Sequence, residues 1–266
     1  MTQFKISLAR ACRLMGLSRS VYQYQHTQNS DFEIKEIVKN IAYTHKRYGF
    51  RKVFHTMRQR GFKWNHKRIY RIYRLLGLNL KKKPKKRLPT REKVTLYQPA
   101  MSNEIWSLDY MSDALVSGKK FRTANVIDDY NREVIVLNAS VSLPSCRVVK
   151  LLDNVAQIRG YPSKIRMDNG PENISKTMKG WAEKHKIELV YIEPGEPAQN
   201  GYIERFNRTY REEVLDMYLF QSIEHVQKIT DDWMNEYNNQ RPHHSLGNLT
   251  PREYKIKHQN SIFALY

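Results

Sequence analysis

The chain has 266 residues and a formal net charge of +20, and no apolar run approaches the roughly 18 residues of a membrane span. Two cysteines, Cys12 and Cys146, are too few for a disulfide framework or a Cys-rich zinc site, and the start Met1-Thr2-Gln3-Phe4-Lys5 is not a signal peptide, so a reducing cytoplasm is expected. The charge is segregated: residues 1–100 hold 25 Lys and Arg against 4 Asp and Glu, whereas residues 101–266 hold 21 against 22. A uniformly basic surface would not show such a step, which points to a polyanion-binding arm on a near-neutral body.

In chain order, residues 6–24 read as a short helix with the stripe Leu8, Ala9, Cys12 and Met15, a turn at Gly16, and a second helix from Ser18. After the polar stretch 25–30, Ile34, Ile37, Val38 and Ile41 mark a longer amphipathic helix. Two more are expected at about 50–60 and 66–77, the latter capped by Asn65 and stopped by Gly77. Helix, Gly61, helix is compatible with a helix-turn-helix whose second helix presents Lys67, Arg68, Arg71 and Arg74 among Trp64, Tyr70 and Tyr73; the alternative is a bundle with a solvated basic face. Six cations then crowd into seven residues, Lys81, Lys82, Lys83, Lys85, Lys86 and Arg87 around Pro84. Such a run cannot pack into a core and reads as a linker along a phosphate backbone, or as a merely solubilising one.

The second half changes character. Residues 104–111, 121–127 and 133–139 are strand candidates close enough for an antiparallel meander. Helix (144–159), strand (164–168), helix (173–186) and strand (187–192) follow, then long helices at about 198–217 and 222–239. The pattern describes a mixed α/β sheet flanked by helices. The expected division is a helical basic domain (1–80), a linker (81–100) and an α/β domain with C-terminal helices (101–266).

Three acids stand out. Asp109 interrupts the apolar run Ile105-Trp106-Ser107-Leu108-Asp109-Tyr110-Met111, where a buried unpaired carboxylate is costly unless a cation meets it. A strand-end residue with a local hydrogen bond is the plain alternative. Asp168 opens the turn Asp168-Asn169-Gly170, which an ordinary turn also explains. Glu204 follows after 35 intervening residues, on a helix whose core stripe is Ile203, Phe206, Tyr210, Val214 and Met217. With Asn207, Arg208 and Arg211 it forms a neighbouring face, either a metal ligand flanked by phosphate contacts or a solvated Glu–Arg face. Asp128 and Asp129 read as a turn before Arg132.

Trp106-Ser107-Leu108-Asp109, Met167-Asp168-Asn169-Gly170-Pro171-Glu172-Asn173 and the stretch from Pro194 through Gln199-Asn200-Gly201-Tyr202-Ile203-Glu204 to Asn207 resemble the core of DDE transposases, relatives of retroviral integrases. The chain is most similar to the catalytic, second-frame products of bacterial insertion sequences. Asn235 through Leu246 with Thr250-Pro251 resembles the C-terminal signature of that family, and Tyr48-Gly49-Phe50-Arg51 through Tyr70 its helical N-terminal region. The resemblance implies an RNase H-like five-stranded mixed sheet, with Asp109, Asp168 and Glu204 holding two Mg²⁺ ions, for which Mn²⁺ could substitute. It implies cleavage at transposon ends followed by strand transfer. Arg208, Arg211, Gln199 and Asn200 would line the DNA groove. The expected partners are double-stranded DNA of element ends and target, further copies of the chain on DNA, and an upstream-frame protein of the same element; the expected setting is bacterial and nucleoid-associated, with no membrane. The N-terminal zinc module of retroviral integrases has no counterpart here.

Overall fold

The computed structural model describes residues 6–24, 31–80, 96–193 and 197–263. The basic run 81–87 lies outside the described residues, as does the stretch 25–30.

Helices α1 (Leu8–Leu14) and α2 (Arg19–Gln23) begin on Ser7 and Ser18, whose hydroxyls accept from the Arg10 and Val21 amides, and the turn between them uses Gly16 at φ +63°. The expected α1 stripe is shorter than anticipated. Cys12 is buried, but Met15 falls after the last helical residue and is exposed. Helices α3 (Phe32–Thr44), α4 (Phe50–Gln59) and α5 (His66–Leu75) bury Ile34, Val38, Ile41, Val53, Met57, Ile69 and Ile72 against one another. The Asn65 side chain accepts from the Lys67 amide to start α5, and Gly77 at φ +66° follows its end. Tyr73, counted among the aromatics beside the cations, belongs to this core instead and donates to the Leu78 carbonyl.

The second unit is built on a five-stranded sheet in the order β3-β2-β1-β4-β5. Strands β1 (Ile105–Ala114), β2 (Lys120–Asp128) and β3 (Val134–Ser140) form the expected antiparallel meander, and β4 (Lys164–Met167) and β5 (Glu188–Tyr191) add on parallel to β1. This is the mixed RNase H-like arrangement. Helix α6 (Ser145–Arg159) and helix α7 (Lys176–Lys184) cover one face, where Trp106, Leu108, Val126 and Ile165 meet Val148, Leu152, Met178 and Trp181. Helix α8 (Gly201–Tyr210) and helix α9 (Ile223–Asn239) cover the other, where Phe121, Ile127 and Leu137 meet Ile203, Phe206, Tyr210 and Trp233.

Two local features depart from the sequence expectations. The helix expected over 198–217 is divided into a short 3₁₀ turn (Pro197–Asn200), α8, and a π-helical turn (Arg211–Leu215). A further helix, α10 (Pro251–Phe263), was not anticipated. It starts on a reciprocal cap: the Glu253 amide donates to the Thr250 hydroxyl at 3.1 Å, and the Thr250 amide to the Glu253 carboxylate at 2.8 Å.

The two units meet through polar contacts. His45 lies 2.9 Å from Glu236, Lys52 lies 3.3 Å from Glu213, and Arg47 donates to the Glu212 carbonyl. Glu213, delivered by the π-turn, also accepts two bonds from the buried Arg241 (2.7 and 3.1 Å) and one from the Trp233 indole (3.2 Å).

Candidate active site

Side chains alternate across a strand, so Trp106 and Leu108 sink into the α6/α7 side of the sheet while Ser107, Asp109 and Met111 face α8 and α9. Asp109 therefore points at the helix that carries Glu204. The link is direct: the Asn207 amide, three residues past Glu204 on α8, donates to Asp109 Oδ2 at 2.6 Å. Asn125, paired with Asp109 across β1 and β2, donates in turn to Asn207 Oδ1 at 2.7 Å. The other Asp109 oxygen accepts from the Tyr110 amide at 2.8 Å.

Asp168 lies beside the same strand. Ser107 pairs with Arg166 across the parallel β1–β4 ladder, and Asp109 and Asp168 each follow two residues later. The Asp168 carboxylate accepts from Asn173 at 2.6 Å and from the Gly170 amide at 3.2 Å, which folds the Asp168–Asn173 loop back on itself. Buried Asn173 then accepts from the Tyr110 hydroxyl at 3.0 Å, pinning that loop to β1. Glu204 stands in the first turn of α8, exposed, and bonds to no other described residue.

The Asp109 carboxyl is pushed up to about 6. Burial is the main cause; the charges of Asp168 and Glu204 add to it, while the Tyr110 amide and Asn207 oppose it. The three acids therefore share one field. Among the described residues no three His, Cys, Asp or Glu side chains are grouped tightly enough to hold a metal ion in this conformation. The donor set is nonetheless of the right chemistry, hard carboxylate oxygens around a partly buried and mutually repelling centre, which a divalent cation would relieve.

Asp128 ends β2 and Asp129 opens the turn before Arg132, as expected, and both are fully buried. Asp128 accepts from Ser102 and the Asn103 amide and pairs with Arg159 at 3.2 Å; Asp129 accepts from Ser107 and pairs with Arg166 at 2.9 Å. They tie the sheet to its flanks and stand outside the three-acid field.

The expected DNA contacts fall into groups. Arg208 is exposed on α8 with no bond among the described residues, and Lys67 and Arg74 are exposed on α5, with Arg74 over the Tyr70 ring. Arg68 and Arg71 both engage Asp31, at 2.9 and 2.6 Å. Arg211 bonds to Asp113 and to the Ser112 carbonyl, holding the start of the π-turn against β1. Gln199 accepts from the Glu193 amide, and Asn200, the residue before α8, is buried at 3% exposure. Asn173, Asn207 and Asn125, which orient the acids, carried no role in the sequence reading; the place of Asn207 on the Glu204 face was the signal available for it.

Two family models described as integrase core domain match residues 99–197 and 185–251, and one described as HTH-like domain matches residues 29–87. The insertion element IS407 uncharacterized 31.7 kDa protein of Burkholderia multivorans is 36% identical over 260 residues, covering 97% of this chain and 94% of that protein. A protein of Escherichia coli named as a candidate transposase, InsK, for insertion sequence element IS150 is 26% identical, covering 84% and 83%. Among solved structures, the HTLV-2 integrase catalytic core domain in complex with magnesium is similar over 59% of this chain and 98% of that chain, with a TM-score of 0.44 and 16% identity. The fold is an integrase core preceded by an HTH-like helical domain. This chain belongs to the integrase-core transposase family of bacterial insertion elements.

Proposed function

We propose that the chain is a DDE transposase that cleaves at transposon ends and joins the exposed 3′-hydroxyl to target DNA, with Asp109, Asp168 and Glu204 as its metal ligands. The observation that carries this reading is the Asn125–Asn207–Asp109 chain, which brings the Glu204 helix against the middle of β1, where Asp109 stands beside the end of β4 and Asp168. Bound Mg²⁺ or Mn²⁺, two ions in this reading, would supply activation of the attacking oxygen and stabilisation of the leaving 3′-oxygen. The residues set the frame for that chemistry. Asn207 fixes one Asp109 oxygen and the Tyr110 amide the other, and Asn173 holds Asp168 beside them. Glu204, unbonded and exposed, is the arm able to turn inward and complete the site. Arg208, four residues and about one helical turn after Glu204, would meet the DNA backbone beside it. In the same reading residues 1–80 grip DNA, residues 81–100 connect, and residues 101–266 carry the chemistry, with several copies acting on one DNA complex alongside an upstream-frame protein.

The test is Asp109→Asn, Asp168→Asn and Glu204→Gln, each assayed with the element's own ends. Metal-dependent cleavage and strand transfer should fall to background in all three while DNA binding persists. Full activity in any one would remove that residue from the ligand set.

A further inference from the structure

A cavity of about 400 Å³ lies where α4 meets the side of α8 and the chain after α9. Lys52, Arg132, Arg205, Arg241, His243 and His244 line it. Among the described residues the acid that pairs with these cations is Glu213, already occupied by Arg241 at 2.7 Å and Lys52 at 3.3 Å, while the buried Asp129, itself paired with Arg166, acts on Arg132 only through its field. Arg132 and Arg205 form no ion pair among the described residues. Arg132 stacks on the Tyr202 ring, 3.4 Å from its centre, and spends one nitrogen on Gln98. Its Nη1 is buried and has no hydrogen-bond partner among the described residues. Nor, among them, has Nε2 of His243, a residue 7% exposed.

These are the marks of a built site lacking its anion. The unpaired, buried guanidinium nitrogen of Arg132 costs free energy that an anionic acceptor recovers. The excess positive charge acts on its neighbours: burial and Arg241 lower the Lys52 ammonium to about 8, and burial with Arg241 holds His243 neutral, down to about 3. A seated anion would offset those charges. Arg241 and His243 form the floor, while exposed Arg205 and His244 stand at the mouth, so the anion enters from solvent. Arg205 follows Glu204 on α8, about 100° around the helix, so the mouth opens beside the acid-bearing face.

We propose that this cavity is a phosphate seat, taking a backbone phosphodiester of DNA or a free phosphate ion. Four cations around one pocket suit a tetrahedral oxyanion with several acceptor oxygens. The DNA source rests on the transposase reading; the free-ion source needs neither DNA nor metal, so its outcome is separate from that of the three acids.

The experiment uses the full chain, Arg205→Glu, Arg132→Gln, and Lys150→Glu as an equal charge change on an exposed lysine elsewhere. In one arm, sodium phosphate at matched ionic strength should raise the thermal midpoint over chloride in the wild type and in Lys150→Glu, and in neither pocket variant. In the other, the slope of log affinity for DNA against log salt should fall by about one in both pocket variants and stay unchanged in Lys150→Glu. A change in the DNA arm assigns the seat to the backbone, and a change in the phosphate arm alone assigns it to the free ion. No change in either arm, or equal changes in Lys150→Glu, overturns the proposal.

Discussion

Asn207 holds the acid on β1 and belongs to the helix that carries the acid on α8, so one amide sets the distance between them. Asn207→Ala should cut metal-dependent cleavage about 10- to 100-fold, the usual cost of losing a partner that orients a ligand. DNA affinity, measured by filter binding, should hold. Asp109 carries a pH signature. Its folded carboxyl titrates near 6, above the unfolded value of about 3.9, so the folded state binds the extra proton between those values. Without metal, this group's contribution to stability therefore falls as pH rises from about 4 through 6 and is level above. On the proposed reading a divalent cation would bind the ionised form, so millimolar Mg²⁺ or Mn²⁺ should raise the thermal midpoint more at about pH 7.5 than at about pH 5, and Asp109→Asn should abolish that difference. The acids themselves were legible because carboxylates among apolar strand residues and at a turn are conspicuous. The amides that orient them were not, since Asn125 and Asn207 lie far apart in sequence and nothing local records that they meet.

Among the elements, the stretch after α8 decides how the core is joined to the helical domain. A regular helix was expected through residue 217, and the apolar stripe through Val214 supports it. Periodicity cannot register the wider π-turn, which places Glu213 between Arg241 and Lys52. Glu213 and Arg241 are nearly inaccessible, so Glu213→Gln leaves a buried guanidinium uncompensated and should cost about 3–5 kcal/mol in denaturant unfolding. Its carboxyl is held below the ordinary range by Arg241 and Lys52 against the opposing effect of burial. That stabilisation is present above the unfolded glutamate pKa and lost as pH falls through the folded value, so acid should loosen this joint. Helix α10 had a readable start in Thr250-Pro251-Arg252-Glu253, a capping box with proline at the first helical position, but its weak amphipathic pattern hid it. Thr250→Ala should lower stability by about 1 kcal/mol, seen as a reduced thermal midpoint.

At the scale of the molecule, the net positive charge lies in the first hundred residues, while the acid-bearing strands and helix lie in the near-neutral remainder. Replacing Lys81, Lys82, Lys83, Lys85, Lys86 and Arg87 with glutamine should weaken DNA binding across all sequences and flatten its salt dependence; an unchanged slope would show that this run touches no phosphate. The succession of strands and helices along the chain followed from hydrophobic periodicity, which is local, while the five-stranded RNase H-like sheet was implied by the family resemblance. The joint between the units was not legible, because it depends on charges brought together from α4, the π-turn and the residues after α9. Grafting a helical domain from a relative would run into that joint. A helical domain grafted from another insertion-element protein would bring its own residue to the position of Lys52 and meet Glu213 and Arg241 already paired. A working chimera would have to inherit both sides of this ionic lock, so the usable crossover point is set by buried electrostatics rather than by the linker.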